Sequence, residues 1–125
     1  MEFAELHYNL DMGAMIVIFY KSNGEKRVML CTKNTAMASN FNVPENIGYW
    51  LHTRNSKFYG TKNIGVIDME KLDIRAFNAD KILYTEVVGD LREGDTFEKA
   101  KLRARELRES IKNGNFSVAG NMDSL

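Results

Sequence analysis

Between Tyr49 and Lys62 the chain reads Tyr-Trp-Leu-His-Thr-Arg-Asn-Ser-Lys-Phe-Tyr-Gly-Thr-Lys, aromatic rings interleaved with bases and no acid among them. Rings stack on unpaired bases while Arg and Lys follow phosphates, so the combination suits single-stranded nucleic acid. It suits a protein interface equally, because Trp, Tyr and Arg dominate interface hot spots. A third reading is structural, with Trp50 and Phe58 in the core and the bases solvated on a loop. The candidate binding residues are Tyr49, Trp50, His52, Arg54, Lys57, Phe58, Tyr59 and Lys62. Secondary candidates are Tyr20 and Arg27, which face each other in the expected hairpin, Arg75, and the bases Arg103, Arg105 and Arg108 of a C-terminal helix. A salt bridge to Asp73 or Asp68 is the plainer role for Arg75, and a solvated face the plainer role for the helix.

The residue types that catalysis needs are not spaced for it. His7 and His52 lack Cys or carboxylate partners at metal-ligand spacing, so no metal is expected. Cys31 lies within an apolar run and reads as a packed thiol rather than a nucleophile. Gly60 and Gly65 stand as far apart as the glycines of a P-loop, but Val66 and Ile67 occupy the places of its Lys and Ser/Thr. The expectation is a protein that is not an enzyme and carries no cofactor.

Positioning such residues requires a folded frame, and 125 residues with 44% hydrophobic content are enough to bury a core. One domain is expected over residues 1 to 112, with 113 to 125 as a flexible tail. Seventeen bases balance 17 acids, which argues against a general nucleic-acid coat protein. The distribution is less even: residues 1 to 25 carry four acids against Lys21, and from Lys26 to Ile67 six bases meet the single acid Glu45, while the remainder is nearly balanced. The opening Met-Glu-Phe-Ala-Glu lacks the form of a secretory leader. No apolar run approaches the ~20 residues of a membrane span, so a cytoplasmic location away from the membrane is expected.

Asn23-Gly24 between two apolar runs, Met15 to Tyr20 and Arg27 to Cys31, is a strong hairpin signal. A two-residue type I′ loop pairs Tyr20 with Arg27 and Phe19 with Val28, and groups Val17, Phe19, Val28 and Leu30 on one face. Both faces are apolar, so the second needs a cover. Residues 2 to 9 suit a short helix through Phe3, Leu6 and Leu10, and Ala36-Met37-Ala38 a helical turn. Ile47 to Thr53 reads as a strand and Arg54 to Asn63 as a loop. Strands follow at Ile64–Met69, Leu72–Phe77 and Ile82–Val88, with a tight turn at Asn78-Ala79-Asp80. Beyond Gly89, Asp95 and Glu98 form a capping box, and Gly114 sits at a C′ position. Between them Phe97, Ala100, Ala104, Leu107 and Ile111 make one apolar stripe, which fits a helix over 95 to 112 packed on the sheet.

Three segments resemble a family of small bacteriophage proteins with an Sm-like SH3 β-barrel, sometimes grouped with WYL domains. They are the hairpin Val17 to Thr32, the strand end Gly65-Val66-Ile67-Asp68-Met69-Glu70, and Ile74 to Ile82 with its Arg-x-Phe strand, turn and closing strand. The resemblance spans roughly residues 14 to 88 and departs between Pro44 and Asn63 and in the added C-terminal helix. It implies an α+β, mainly β fold: a small Sm-like or SH3-like barrel of five to six antiparallel strands. It also implies a viral origin, and hence action in the host bacterial cytoplasm. The leading expectation is a host-takeover accessory protein whose partner is a host bacterial protein. RNA, single-stranded DNA or a nucleotide is the alternative partner, and a homo-oligomeric ring or dimer the third.

Overall fold

The computed structural model describes residues 1–116, and they form an α+β fold. Helix α1 (Phe3–Met12) leads into strands β1 (Ala14–Tyr20) and β2 (Lys26–Thr32). A single helical turn, α2 (Thr35–Ala38), and the longer α3 (Ile47–Lys57) come next. Strands β3 (Asn63–Asp68) and β4 (Asp73–Asn78) make a second hairpin, a 3-10 turn (Ala79–Lys81) precedes β5 (Ile82–Gly89), and α4 (Thr96–Lys112) follows. Neighbouring strands are antiparallel in the order β4-β3-β2-β1-β5. The ladder has two ends, β4 and β5, that are not paired with each other among the described residues. No described helix is long and apolar enough to cross a membrane. Most of the expected tail, 117 to 125, lies outside the described residues.

The first hairpin closes differently from the sequence expectation. Lys21 donates its N–H to Glu25 O at 2.8 Å and Gly24 donates to Lys21 O at 2.9 Å. Within this loop only Gly24 takes a positive φ, 86°, and Asn23 Oδ1 accepts from the Glu25 N–H. A type I turn followed by a left-handed glycine bulge therefore replaces the type I′ turn, which needs two positive φ angles. Tyr20 faces Lys26, Phe19 faces Arg27 and Ile18 faces Val28. The register is one residue from the expected one, and with a side-chain period of two this regroups the faces. Ile16, Ile18, Val28 and Leu30 share one apolar cluster. Val17, Phe19, Met29 and Cys31 share the other.

Each face has its own cover. Leu6 and Leu10 of α1 pack on the Val17–Phe19 side together with Ile64, Val66 and Phe77. Met37 and Ala38 of α2, Ile47 and Leu51 of α3, and Ala100, Ala104 and Leu107 of α4 pack on the opposite side. The apolar stripe read from the sequence is thus the buried face of α4. Asp95 does precede that helix, but its side chain makes no capping bond and pairs with Lys99 at 3.4 Å instead. The sheet is strongly curled. Phe19 of β1 stacks on Phe77 of β4 with centroids 5.2 Å apart, although two strands separate them in the ladder. Only Cys31 and Thr32 of β2 pair with β3, so the second hairpin swings away from the first.

Gly13 lies so close to Gly89 that a Cβ there would meet the Gly89 carbonyl oxygen at 2.7 Å, a contact only glycine permits. The neighbouring anchor is Thr32, fully buried. Its hydroxyl donates toward Gly13 O at 2.6 Å and Leu10 O at 3.1 Å, and accepts from the Asn34 N–H at 2.9 Å. Thr32→Val keeps the shape and strands these groups, so it should cost about 1–3 kcal/mol. Urea titration should show a lower midpoint with an unchanged slope. A midpoint equal to the parent's would deny the hydroxyl this role.

Candidate functional site

Ile47 to Thr53, expected as a strand, is the first part of helix α3, which runs on to Lys57 through the first four residues of the expected loop. Ile47 and Leu51, one turn apart, are its buried positions. Asn55 pins it to β3: Asn55 Oδ1 accepts from Gly65 N–H at 2.7 Å and its Nδ2 donates to Gly65 O at 3.1 Å. The amide thus occupies the edge of β3 that β2 does not reach. Arg54 and Lys57 lie in the last turn, where cations suit the partial negative charge of a helix end.

This geometry turns the aromatics outward. Tyr49 is 65% exposed, Trp50 55% and Tyr59, just beyond the helix, 92%. Tyr49 and Trp50 meet edge to face with centroids 5.3 Å apart. Helical spacing places Trp50, Arg54 and Lys57 along one stripe. Trp50 and Arg54 border a shallow groove of about 360 Å³ that also includes Asp73, Ile74 and Arg75. His52 is exposed on the same helix. Phe58, Tyr59 and Lys62 belong to a different depression, about 480 Å³, shared with Phe3, His7 and Lys33 of the α1 side. The candidate segment is therefore divided over two neighbouring surfaces. Lys62 Nζ sits 4.5 Å from the centre of the Phe3 ring.

The secondary candidates are mostly engaged within the chain. Arg75 bonds Asp73 at 3.2 Å and the Ile74 carbonyl at 2.8 Å. Arg27 pairs with Asp68 at 3.3 Å, faces Phe19 rather than Tyr20, and leaves Lys26 Nζ 5.9 Å from the Tyr20 ring centre. Arg103 grips Glu86 through three contacts of 2.9 to 3.1 Å, and these bonds hold the Glu86 carboxyl below its ordinary range. Arg108 bonds Glu70 and the Val28 carbonyl. Arg105 stays exposed. Burial, reinforced by the charge of Asp68, pushes the Cys31 thiol far up and keeps it protonated. Among the described residues no cluster of three or more His, Cys, Asp or Glu side chains is placed to hold a metal ion. Sequence reasoning weighed His7 only as a metal ligand and missed its contact with Lys33, because nothing local signals that residues 26 apart meet.

No protein-family model, no curated protein and no solved structure matches the chain.

His7 is the titrating group beside the second depression. Its Nδ1 lies 2.6 Å from Lys33 Nζ, which also pairs with Asp11 at 3.3 Å. Burial first, then the Lys33 charge, lowers the His7 pKa below 6.5, against an opposing pull from Asp11. The unfolded chain therefore takes up a proton near 6.5 that the folded chain refuses. The contribution is whole above that value and is lost as pH falls toward the folded pKa. Urea unfolding at pH ~7.5 and ~5.5 should show the parent losing more stability over this interval than His7→Gln. Equal losses would exclude the coupling.

Proposed function

We propose that the chain is a non-catalytic binding module that docks on a host bacterial protein through the outward face of α3. The observation that carries this reading is the pair Tyr49 and Trp50, both more than half exposed and in edge-to-face contact on a helix fixed by Ile47, Leu51 and Asn55. Large rings are costly to leave in water, and their exposure on a rigid element marks a surface that a partner covers. Arg54 beside them supplies the remaining residue type common in hot spots. A fixed helix also loses little freedom on docking. The phage-accessory role rests on the sequence resemblance alone.

Two specific observations favour other partners. Arg54 and Lys57 follow Trp50 along one stripe with no acid in the segment, which suits RNA or single-stranded DNA. The outer edges of β4 and β5 have no strand partner among the described residues, which suits a homo-oligomer assembled edge to edge.

A photo-crosslinking residue in place of Tyr49 discriminates, with one in place of Leu102, exposed on α4, as control. In bacterial lysate the first should capture a protein that survives nuclease and moderate salt, and the control should not. Trp50→Ala should weaken the isolated pair by about 2 kcal/mol or more, roughly thirtyfold. Capture that vanishes with nuclease, falls steeply with salt and is abolished by the Arg54→Ala, Lys57→Ala double variant would transfer the site to nucleic acid.

A further inference from the structure

A wide cleft lies away from α3, where β2 and β3 part. Beyond Cys31 and Thr32 the two strands no longer pair. The end of the first hairpin, the β3–β4 turn and the last turns of α4 wall a space of about 770 Å³. Six bases line it: Lys21, Lys26, Arg27, Lys71, Arg108 and Lys112. They face two carboxylates, Asp68 and Glu70. In a chain of zero net charge this convergence, drawn from three separate segments, does not follow from overall basicity.

Both carboxylates are already committed. Asp68 bonds Arg27 and accepts the Glu70 and Lys71 N–H groups, each at 3.0 Å. Glu70 fixes Arg108, whose guanidinium also donates to Val28 O at 3.0 Å on the unpaired edge of β2. Lys21 leans toward Glu25 at 3.6 Å. Lys26, Lys71 and Lys112 line the same cleft, and among the described residues none has a carboxylate within 4 Å.

From this arrangement we infer that the cleft is an anion site for an oligophosphate, either free or as the tail of a nucleotide. The lining offers no aromatic ring to stack a base, only Val28 and Ile111 as apolar surface, so the ligand is recognised by charge density. A terminal phosphate carries about −1.5 to −2 near neutral pH and an adjoining internal phosphate about −1, so the end of an oligophosphate matches three free ammonium ions. Arg27 and Arg108, held in place by their carboxylates, present fixed guanidinium edges to phosphate oxygens. The low-dielectric walls concentrate the field of the lysines within the cleft.

Calorimetric titration of the full chain at low salt tests this, with sodium tripolyphosphate, ATP and a hexaglutamate peptide as probes. Tripolyphosphate should bind the parent, and Lys26→Gln, Lys71→Gln, Lys112→Gln together should weaken it at least about tenfold. The Arg triple at the same positions should restore binding. A control triple, Lys81→Gln, Lys99→Gln, Lys101→Gln, should stay within about twofold. ATP equal to tripolyphosphate identifies the phosphates alone as the ligand, and ATP more than about tenfold tighter identifies a nucleotide. The inference fails if the parent does not bind tripolyphosphate, if the control triple loses as much, or if hexaglutamate binds as tightly.

Discussion

Burial of β1 on both faces is the constraint around which the rest is arranged. From Ala14 to Phe19 every side chain is at most 4% exposed. A strand greasy on both sides cannot line a sheet with one wetted face, so two separate covers are obligatory. The N-terminal helix supplies one, while α2, α3 and α4 share the other. This explains why α4 follows the last strand at all, and why its stripe is built of alanines at the positions nearest the sheet. Small side chains at Ala100 and Ala104, in the same buried cluster as Val28 and Leu30, let α4 approach β2 closely.

The sheet that results is split, and the split is where side chains take over from backbone. Once β2 and β3 diverge, each has hydrogen-bonding groups with no strand opposite. Arg108 answers for the β2 side at Val28, and Asn55 for the β3 side at Gly65. Buried main-chain groups are seldom left unpaired, so these two contacts fix where both helices dock. The outward face of α3 and the basic cleft both follow from the short overlap of these two strands. A helix beside the free run of β3 exposes its aromatic rings, and a helix beside the free run of β2, at the other end of the overlap, brings its last bases toward the hairpin.

Local signals in the sequence marked both hairpins, the turn before β5, the short first helix and the stripe of α4. They misplaced the first register by one residue, because Asn-Gly is compatible with two loop geometries and only the count of positive φ angles separates them. They also misassigned α3. Tyr, Trp and Thr favour strands locally, but Ile47 and Leu51 stand one helical turn apart and tertiary burial overrode the local preference. The exposed aromatic-basic segment was legible as a composition, whereas its division over two surfaces was not. The cleft was invisible because its lysines lie at positions 26, 71 and 112, and only the fold brings them together.

Cys31 sits at the hinge of this arrangement, in the short stretch where β2 still holds β3. It is the only sulfhydryl in the chain, wholly enclosed and locked in its unreactive form. A maleimide dissolved around the folded molecule finds nothing to attach to until that stretch lets go. The rate of alkylation is therefore a clock for the parting of the two hairpins, built into the natural chain and needing no engineered label.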